Sequence, residues 1–258
     1  MKDLKKKTDT AKNVARFHFY GDLNDFLPRK RRRVWFKHPF KGNPAIKDSI
    51  ESLGVPHVEV LGILVHGKSV GFSYQLRHKD KVAVYPNDKK IENLAIKRLQ
   101  VKSFRHPRFI LDAHLGKLAR HLRLFGFDTF YKKDYSDRDI VGVVRDKRRI
   151  VLTRDIGLLK NKAIRHGYWI RTTDPEKQIR EVVRRFDLGK KIRPFKICLE
   201  CNGRIIRVKK SKVIRRLPPL TKDFFQKFHL CVQCKRIYWQ GSHYDKLKSF
   251  IARIEKEA

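Results

Sequence analysis

The sequence predicts an α/β chain of successive units: a mixed-strand N-terminal unit with one helix, a parallel sheet with helices on both faces, and a small cysteine-bearing unit. Three observations carry this. Strand signals around a single helix fill residues 14–86; short apolar strands alternate with amphipathic helices from residue 108; all four cysteines fall in two Cys-x-x-Cys pairs.

In the first unit Ala15-Arg16-Phe17-His18-Phe19-Tyr20 alternates, stops at Gly21 and can pair with Arg33-Val34-Trp35-Phe36. Asn43-Pro44-Ala45-Ile46 opens a helix to Leu53, with Gly54 as its stop. Strands follow at His57 to Val65, Lys68 to Val70 and Val82 to Tyr85. This order is that of a ubiquitin-like β-grasp domain over 14–86, and Asp80-Lys81-Val82-Ala83-Val84-Tyr85-Pro86 resembles the close of ThiS/MoaD-type domains. Those carriers end in a free Gly-Gly tail. Here the chain runs on through Pro86-Asn87-Asp88, which closes off carrier chemistry and leaves a docking role. Residues 87–107 read as a basic linker with a short helix around Ile91 to Leu99.

Over 108–190 the strands are Phe109-Ile110-Leu111, Phe127 to Tyr131, Ile150 to Thr153 and Tyr168 to Ile170. Between them lie a helix with Leu115, Leu118, Ala119, Leu122 and Phe125 on one face, one over about 137–146, and one over about 156–166. Asp174-Pro175 caps a last helix carrying Ile179, Val182, Val183 and Phe186, with Gly189 past its end.

Ligands bind parallel α/β sheets at the carboxyl ends of the strands. Asp112 and Asp155 follow two of those strands, and Asp137 and Asp139 open a helix at the same edge. Close carboxylates repel unless a cation neutralises them, and an all-oxygen donor set suits Mg²⁺ or Mn²⁺. The plainer alternative is that these acids cap helices, which Asp favours in any case; Asp139 and Asp128 fit that role.

Cys198-Leu199-Glu200-Cys201 and Cys231-Val232-Gln233-Cys234 have the spacing of a zinc ribbon over 196–243, with Cys198, Cys201, Cys231 and Cys234 as ligands to a structural Zn²⁺. Disulfides are disfavoured because no secretory signal opens the chain, and four buried thiols would not all fall in such pairs. Arg204 to Arg216 reads as a strand pair presenting Lys209, Lys210 and Arg215 to phosphates. Tyr238 or Trp239 either stacks on a base or packs the ribbon, and His243 follows as a weaker phosphate contact. Residues 244–258 form an amphipathic helix packing back on the fold.

Charge narrows the partners. The chain carries 63 Lys and Arg against 26 Asp and Glu, net +37, which excludes an ordinary acidic metabolic enzyme. Residues 1–106 hold 24 basic and 10 acidic groups, 107–195 hold 23 and 11, and 196–258 hold 16 and 5, so every unit is basic. Nucleic acid is the partner such a surface fits. No run of residues is apolar enough for a membrane span, and the expected location is cytoplasmic. No phosphate-binding glycine loop, nucleophile elbow or HExxH motif is present.

Phe109-Ile110-Leu111-Asp112-Ala113-His114-Leu115-Gly116-Lys117-Leu118-Ala119-Arg120-His121-Leu122-Arg123, Gly126-Phe127-Asp128 and Leu152-Thr153-Arg154-Asp155 resemble the PIN-fold ribonuclease domain of the Mut-seven C-terminal type, over about 108–245. Some members carry a ubiquitin-like domain ahead of it. The resemblance implies a metal-dependent, endonucleolytic ribonuclease in which Asp112, Asp137 and Asp155 hold Mg²⁺ or Mn²⁺. Lys117, Arg120, Arg123, Arg154 and Trp239 are then candidate RNA contacts, for tRNA, rRNA or the ribosome. Two departures stand out: His114 replaces a usual Met, and the further acid that many PIN enzymes carry in an intervening helix has no placed counterpart. The rival expectations are a non-catalytic RNA- or ribosome-binding factor and a protein adaptor docking through its β-grasp and zinc units.

Overall fold

A computed structural model describes residues 13–86, 96–99 and 104–257. The chain divides into two compact units, 1–102 and 103–258.

In the first unit, strand β1 (Asn13–Phe19) pairs antiparallel with β2 (Phe36–Phe40) and parallel with β5 (Lys81–Pro86). Strands β3 (Val60–Val65) and β4 (Lys68–Val70) complete the order β2-β1-β5-β3-β4. Helix α1 (Ile46–Ser52) buries Ile46 and Ile50 against the sheet-face residues Phe17, Phe19, Ile63, Val82 and Val84 in one core. The mixed sheet with its central parallel pair is the expected β-grasp arrangement.

Three local expectations shift. The partner of β1 is Phe36–Phe40 and not residues 33–36, because Arg29–Arg31 makes a 3₁₀ turn and Arg33 has φ of 57°. His57–Glu59 is a 3₁₀ turn, so β3 starts three residues later than His57. Helix α1 begins at Ile46 because Ala45 is extended and bridges to Gln75. In the expected linker helix, residues 91–95 lie outside the described residues, and 96–99 are not helical.

In the second unit β6 (Phe109–Leu111), β7 (Thr129–Phe130), β8 (Ile150–Thr153) and β9 (Gly167–Trp169) form an all-parallel sheet ordered β7-β6-β8-β9. Alternation divides its side chains between two faces. Phe109, Leu111, Ile150 and Leu152 join one buried cluster with Leu118 and Leu122 of α2 (Gly116–Leu124), Ile179 and Val182 of α5 (Pro175–Arg185), and Ile251 and Ile254 of α7 (Ser242–Lys256). Ile110 and Val151 are buried on the other side, where α3 (Asp137–Lys147) and α4 (Ile156–Leu159) contact β8. Helix α7 is the expected C-terminal helix packing back on the fold. Arg253 and Glu176, 3.0 Å apart, tie it to α5.

Helix α4 is one turn and not the expected run to residue 166. Lys160 and Asn161 close it by 3₁₀ bonds, and the Asn161 side chain accepts from Ala163 N–H at 3.0 Å, which turns the chain into β9.

The cysteine unit is an antiparallel sheet of β10 (Ile205–Val208), β11 (Phe228–Cys231) and β12 (Ile237–Trp239). The expected strand pair over 204–216 is not formed. After β10 come 3₁₀ turns at Lys210–Lys212 and Ile214–Arg216, then helix α6 (Pro219–Phe224). Val213 and Leu217 point inward from these turns onto Phe228. Among the described residues no helix is long and apolar enough to cross a membrane.

Candidate active site

Strands β6 and β8 are parallel neighbours, so the residues that follow them share one edge. Asp112, 8% exposed, is the N-cap of a 3₁₀ turn at Ala113–Leu115, its Oδ1 accepting from His114 N–H at 2.9 Å. Its Oδ2 accepts from the Thr153 hydroxyl at 2.5 Å and from Arg154 N–H at 2.9 Å. Thr153 is fully buried, and its oxygen accepts from Asp155 N–H at 2.8 Å. Asp155 is exposed and caps α4 through Gly157 N–H at 2.6 Å. Both acids therefore cap, and both do so at the sheet edge where a ligand site belongs.

Asp137 is exposed at the first position of α3. Its carboxyl is raised above the ordinary 3.8, first by burial and then by the charges of Asp155 and Asp112. Asp139 instead completes a capping box with Ser136, whose hydroxyl and N–H hold its carboxyl below the ordinary value. Asp128 pairs with buried Arg149 at 2.8 Å and accepts from Asn202 Nδ2 at 2.6 Å, an ion-pair role in place of the capping expected of it, since it precedes β7 and not a helix.

Two neighbours went unnoticed in the sequence. Tyr131 donates its hydroxyl to Ala113 C=O at 3.0 Å, and a Cβ on Gly116 would come within 2.7 Å of that hydroxyl. Gly116 leaves the room that the Tyr131 ring needs beside the Asp112 turn. Thr153 stands within Leu152-Thr153-Arg154-Asp155, but only the fold places its hydroxyl between the two carboxylate segments.

The candidate RNA contacts separate. Lys117, Arg120 and Arg154 are exposed, Arg120 also lying 3.4 Å from Glu200. Lys209 and Arg215 are exposed, while Lys210 is half-buried beside Gln226. His243 is exposed at the start of α7. Arg123 must be corrected. It is 4% exposed, and its guanidinium donates to the carbonyls of Thr129 at 3.0 Å, Leu199 at 3.0 Å and Glu200 at 2.8 Å. It braces α2 against the first Cys-x-x-Cys turn from a buried position. Trp239 packs half-buried on the Val213–Leu217–Phe228 cluster.

The four cysteines meet, with all four sulfurs within 4.8 Å of one another. Cys198 and Cys234 Sγ are 3.6 Å apart, and Cys201 and Cys231 Sγ 3.4 Å. Both are too long for a disulfide and close to the ~3.8 Å edge of a tetrahedron with Zn–S bonds of ~2.3 Å. Burial opposes ionisation of Cys198. The backbone N–H groups of Cys201 and Glu200, together with the Tyr238 hydroxyl at 3.0 Å, outweigh it and lower this thiol. Burial and neighbouring thiols raise Cys201 and Cys234. Four converging thiols are a donor set that a divalent cation such as Zn²⁺ completes. Among the described residues this is the one group of His, Cys, Asp or Glu side chains so compact; the aspartates do not form such a set.

Comparison with known proteins agrees with this architecture. No curated protein and no solved structure matches the chain. Family models do: residues 12–92 match the Mut7-C ubiquitin model and residues 107–251 the Mut7-C RNAse domain model. The second match covers more than half of the sequence, and the chain belongs to the Mut7-C RNAse domain family, carrying a Mut7-C ubiquitin domain ahead of it.

Proposed function

We propose that the chain is a metal-dependent ribonuclease that hydrolyses RNA phosphodiesters endonucleolytically at the edge formed by Asp112, Asp137 and Asp155. The observation that carries this is the placement of Asp112 and Asp155 directly after the neighbouring parallel strands β6 and β8, with Asp137 opening α3, in a chain of the Mut7-C RNAse domain family and net charge +37. An all-oxygen donor set fits Mg²⁺ or Mn²⁺, and Asp112 would hold such an ion once the exposed Asp137 and Asp155 side chains turn toward it. When bound, such an ion supplies Lewis-acid stabilisation of phosphodiester charge and a more acidic water.

The residues themselves have separable roles. Thr153 and the N–H groups of His114 and Arg154 fix the Asp112 carboxylate, while Oδ1 keeps a lone pair directed away from His114 N–H. Gly157 N–H fixes Asp155 in the same way. Lys117, Arg120 and Arg154, exposed on the elements that follow β6 and β8, are the proposed phosphate contacts. The cysteines hold a structural Zn²⁺, the ubiquitin-like unit docks a protein, and the setting is the cytoplasm.

The experiment is incubation of the zinc-loaded protein with labelled single-stranded and hairpin RNA, with Mn²⁺, with Mg²⁺, and with excess EDTA. Internal cleavage that requires the added ion supports the reading. Tight, salt-sensitive RNA binding without turnover in any ion selects instead a non-catalytic RNA- or ribosome-binding factor. The basic character of all three sequence segments favours that second reading as well.

A further inference from the structure

Away from the aspartates, the second unit contains a groove of about 880 Å³ between one face of the β10–β11–β12 sheet, the segment 194–197 and the first turns of α7. Register defines its floor. Arg207 pairs with His229, and His229 with Tyr238, so these three side chains form a cross-strand row on one sheet face. The opposite face carries Val208, Phe228 and Trp239, which pack inward on Val213 and Leu217. Phe195 and Tyr244 form the other wall, their ring centroids 4.7 Å apart.

The lining has an informative composition. Lys196, Arg207 and Arg236 contribute cationic groups, His229 and His243 add imidazoles, and among the described residues no Asp or Glu lines the groove. The rest is largely ring and aliphatic surface. His229 sits between Arg207 and Tyr238 in the cross-strand row, so its ring lies beside the fixed positive charge of Arg207. Flat rings between cations, without acids, complement an anionic chain bearing flat bases. The volume lies within the roughly 300–1,000 Å³ of sites that enclose ligands of about nucleotide size.

We propose that this groove binds the bases of a single-stranded RNA segment, with the Arg207–His229–Tyr238 row as the stacking floor and Lys196 and Arg207 on the flanking phosphates. Trp239 packs on the Val213–Leu217–Phe228 cluster and also reaches the groove's lining, while the neighbouring strand face supplies the stacking floor. This inference shares with the proposed function the choice of RNA as ligand, but it does not depend on cleavage.

The test uses the full-length, zinc-loaded protein carrying Asp112→Asn and Asp155→Asn. Fluorescence anisotropy follows binding of a labelled oligouridine of roughly 12 nucleotides, in the range of single-strand site sizes. Arg207→Ala and Lys196→Ala should each weaken binding about three- to tenfold and reduce the salt slope by about one. Arg207→Lys should keep the slope, and His229→Ala should weaken binding about fivefold with the slope unchanged. If the combined Lys196, Arg207 and His229 alanine variant retains its zinc and its melting temperature and binds with unaltered affinity and slope, the proposal is overturned, and the groove is left to a protein partner. Gel analysis of the oligonucleotide afterwards keeps the two readings apart. Degradation by the double Asn protein counts against the aspartate site, whereas unaltered affinity counts against the groove.

Discussion

The Thr153 hydroxyl donates to Asp112 Oδ2 across 2.5 Å while its oxygen accepts the Asp155 N–H at 2.8 Å, so one buried side chain sets the position of both strand-end acids. Thr153→Val keeps the shape but removes the donor to a buried carboxylate, a loss worth about 1–3 kcal/mol. The expected result is a stability decrease of that size, read by urea denaturation, with cleavage reduced at least tenfold. Thr153→Ser should recover most of both.

Arg123 is a brace and not an RNA contact. Arg123→Ala strands the carbonyls of Thr129, Leu199 and Glu200, and bonds to a charged donor are worth about 1.5–3 kcal/mol each before relaxation. Denaturation should show a loss of about 2–4 kcal/mol. RNA affinity measured on the folded fraction should stay within about twofold of wild type, against the larger losses expected for phosphate contacts.

Removal of the proposed zinc should unfold the ribbon first. The sulfur tetrahedron forms the cross-link between the Cys198 and Cys231 turns, and the ribbon's own apolar cluster is small. Chelation, or Cys198→Ser, should abolish zinc binding measured by a colorimetric release assay. It should also lower the melting temperature and leave the Met1–Lys102 unit folded.

Asp174 gives a pH signature. Its carboxylate accepts from the N–H groups of Lys177 and Glu176 at the start of α5, both at 2.9 Å, and the Lys177 bond leads in holding it below the ordinary 3.8. A depressed carboxyl stabilises the fold above the unfolded value and loses that contribution as pH falls through the folded one. Thermal melts should therefore show wild type losing its advantage over Asp174→Ala below about pH 3.8 and keeping it above. Asp174→Asn, which still caps, should lie between them.

How far the sequence carried depended on whether the signal was local. Cysteine spacing and the alternation of apolar strands with helices are local, and the ligand cluster and the parallel sheet follow from them directly. The Asp112 and Asp155 positions were legible because a strand's end is written in its hydrophobic run. Arg123 was not. Its place on a helix between leucines resembles a solvated flank, and only the arrival of Leu199 and Glu200 from 76 and 77 residues away buries it. The 204–216 segment misled for the opposite reason: apolar–basic alternation satisfies a strand pattern, but Val213 and Leu217 spend their apolar surface on Phe228 from 3₁₀ turns. Tyr238 and Trp239 show the same limit, since adjacent residues on a strand face opposite ways and the register decides which one packs the interior.

The carboxylates at the β6–β8 edge are what would make this chain a nuclease. The most direct measurement is the initial rate of RNA cleavage with Mn²⁺ for wild type and for Asp112→Asn with Asp155→Asn, at matched zinc content and matched RNA affinity. The expected result is a fall of about a hundredfold or more in the double variant. A rate equal to wild type contradicts it.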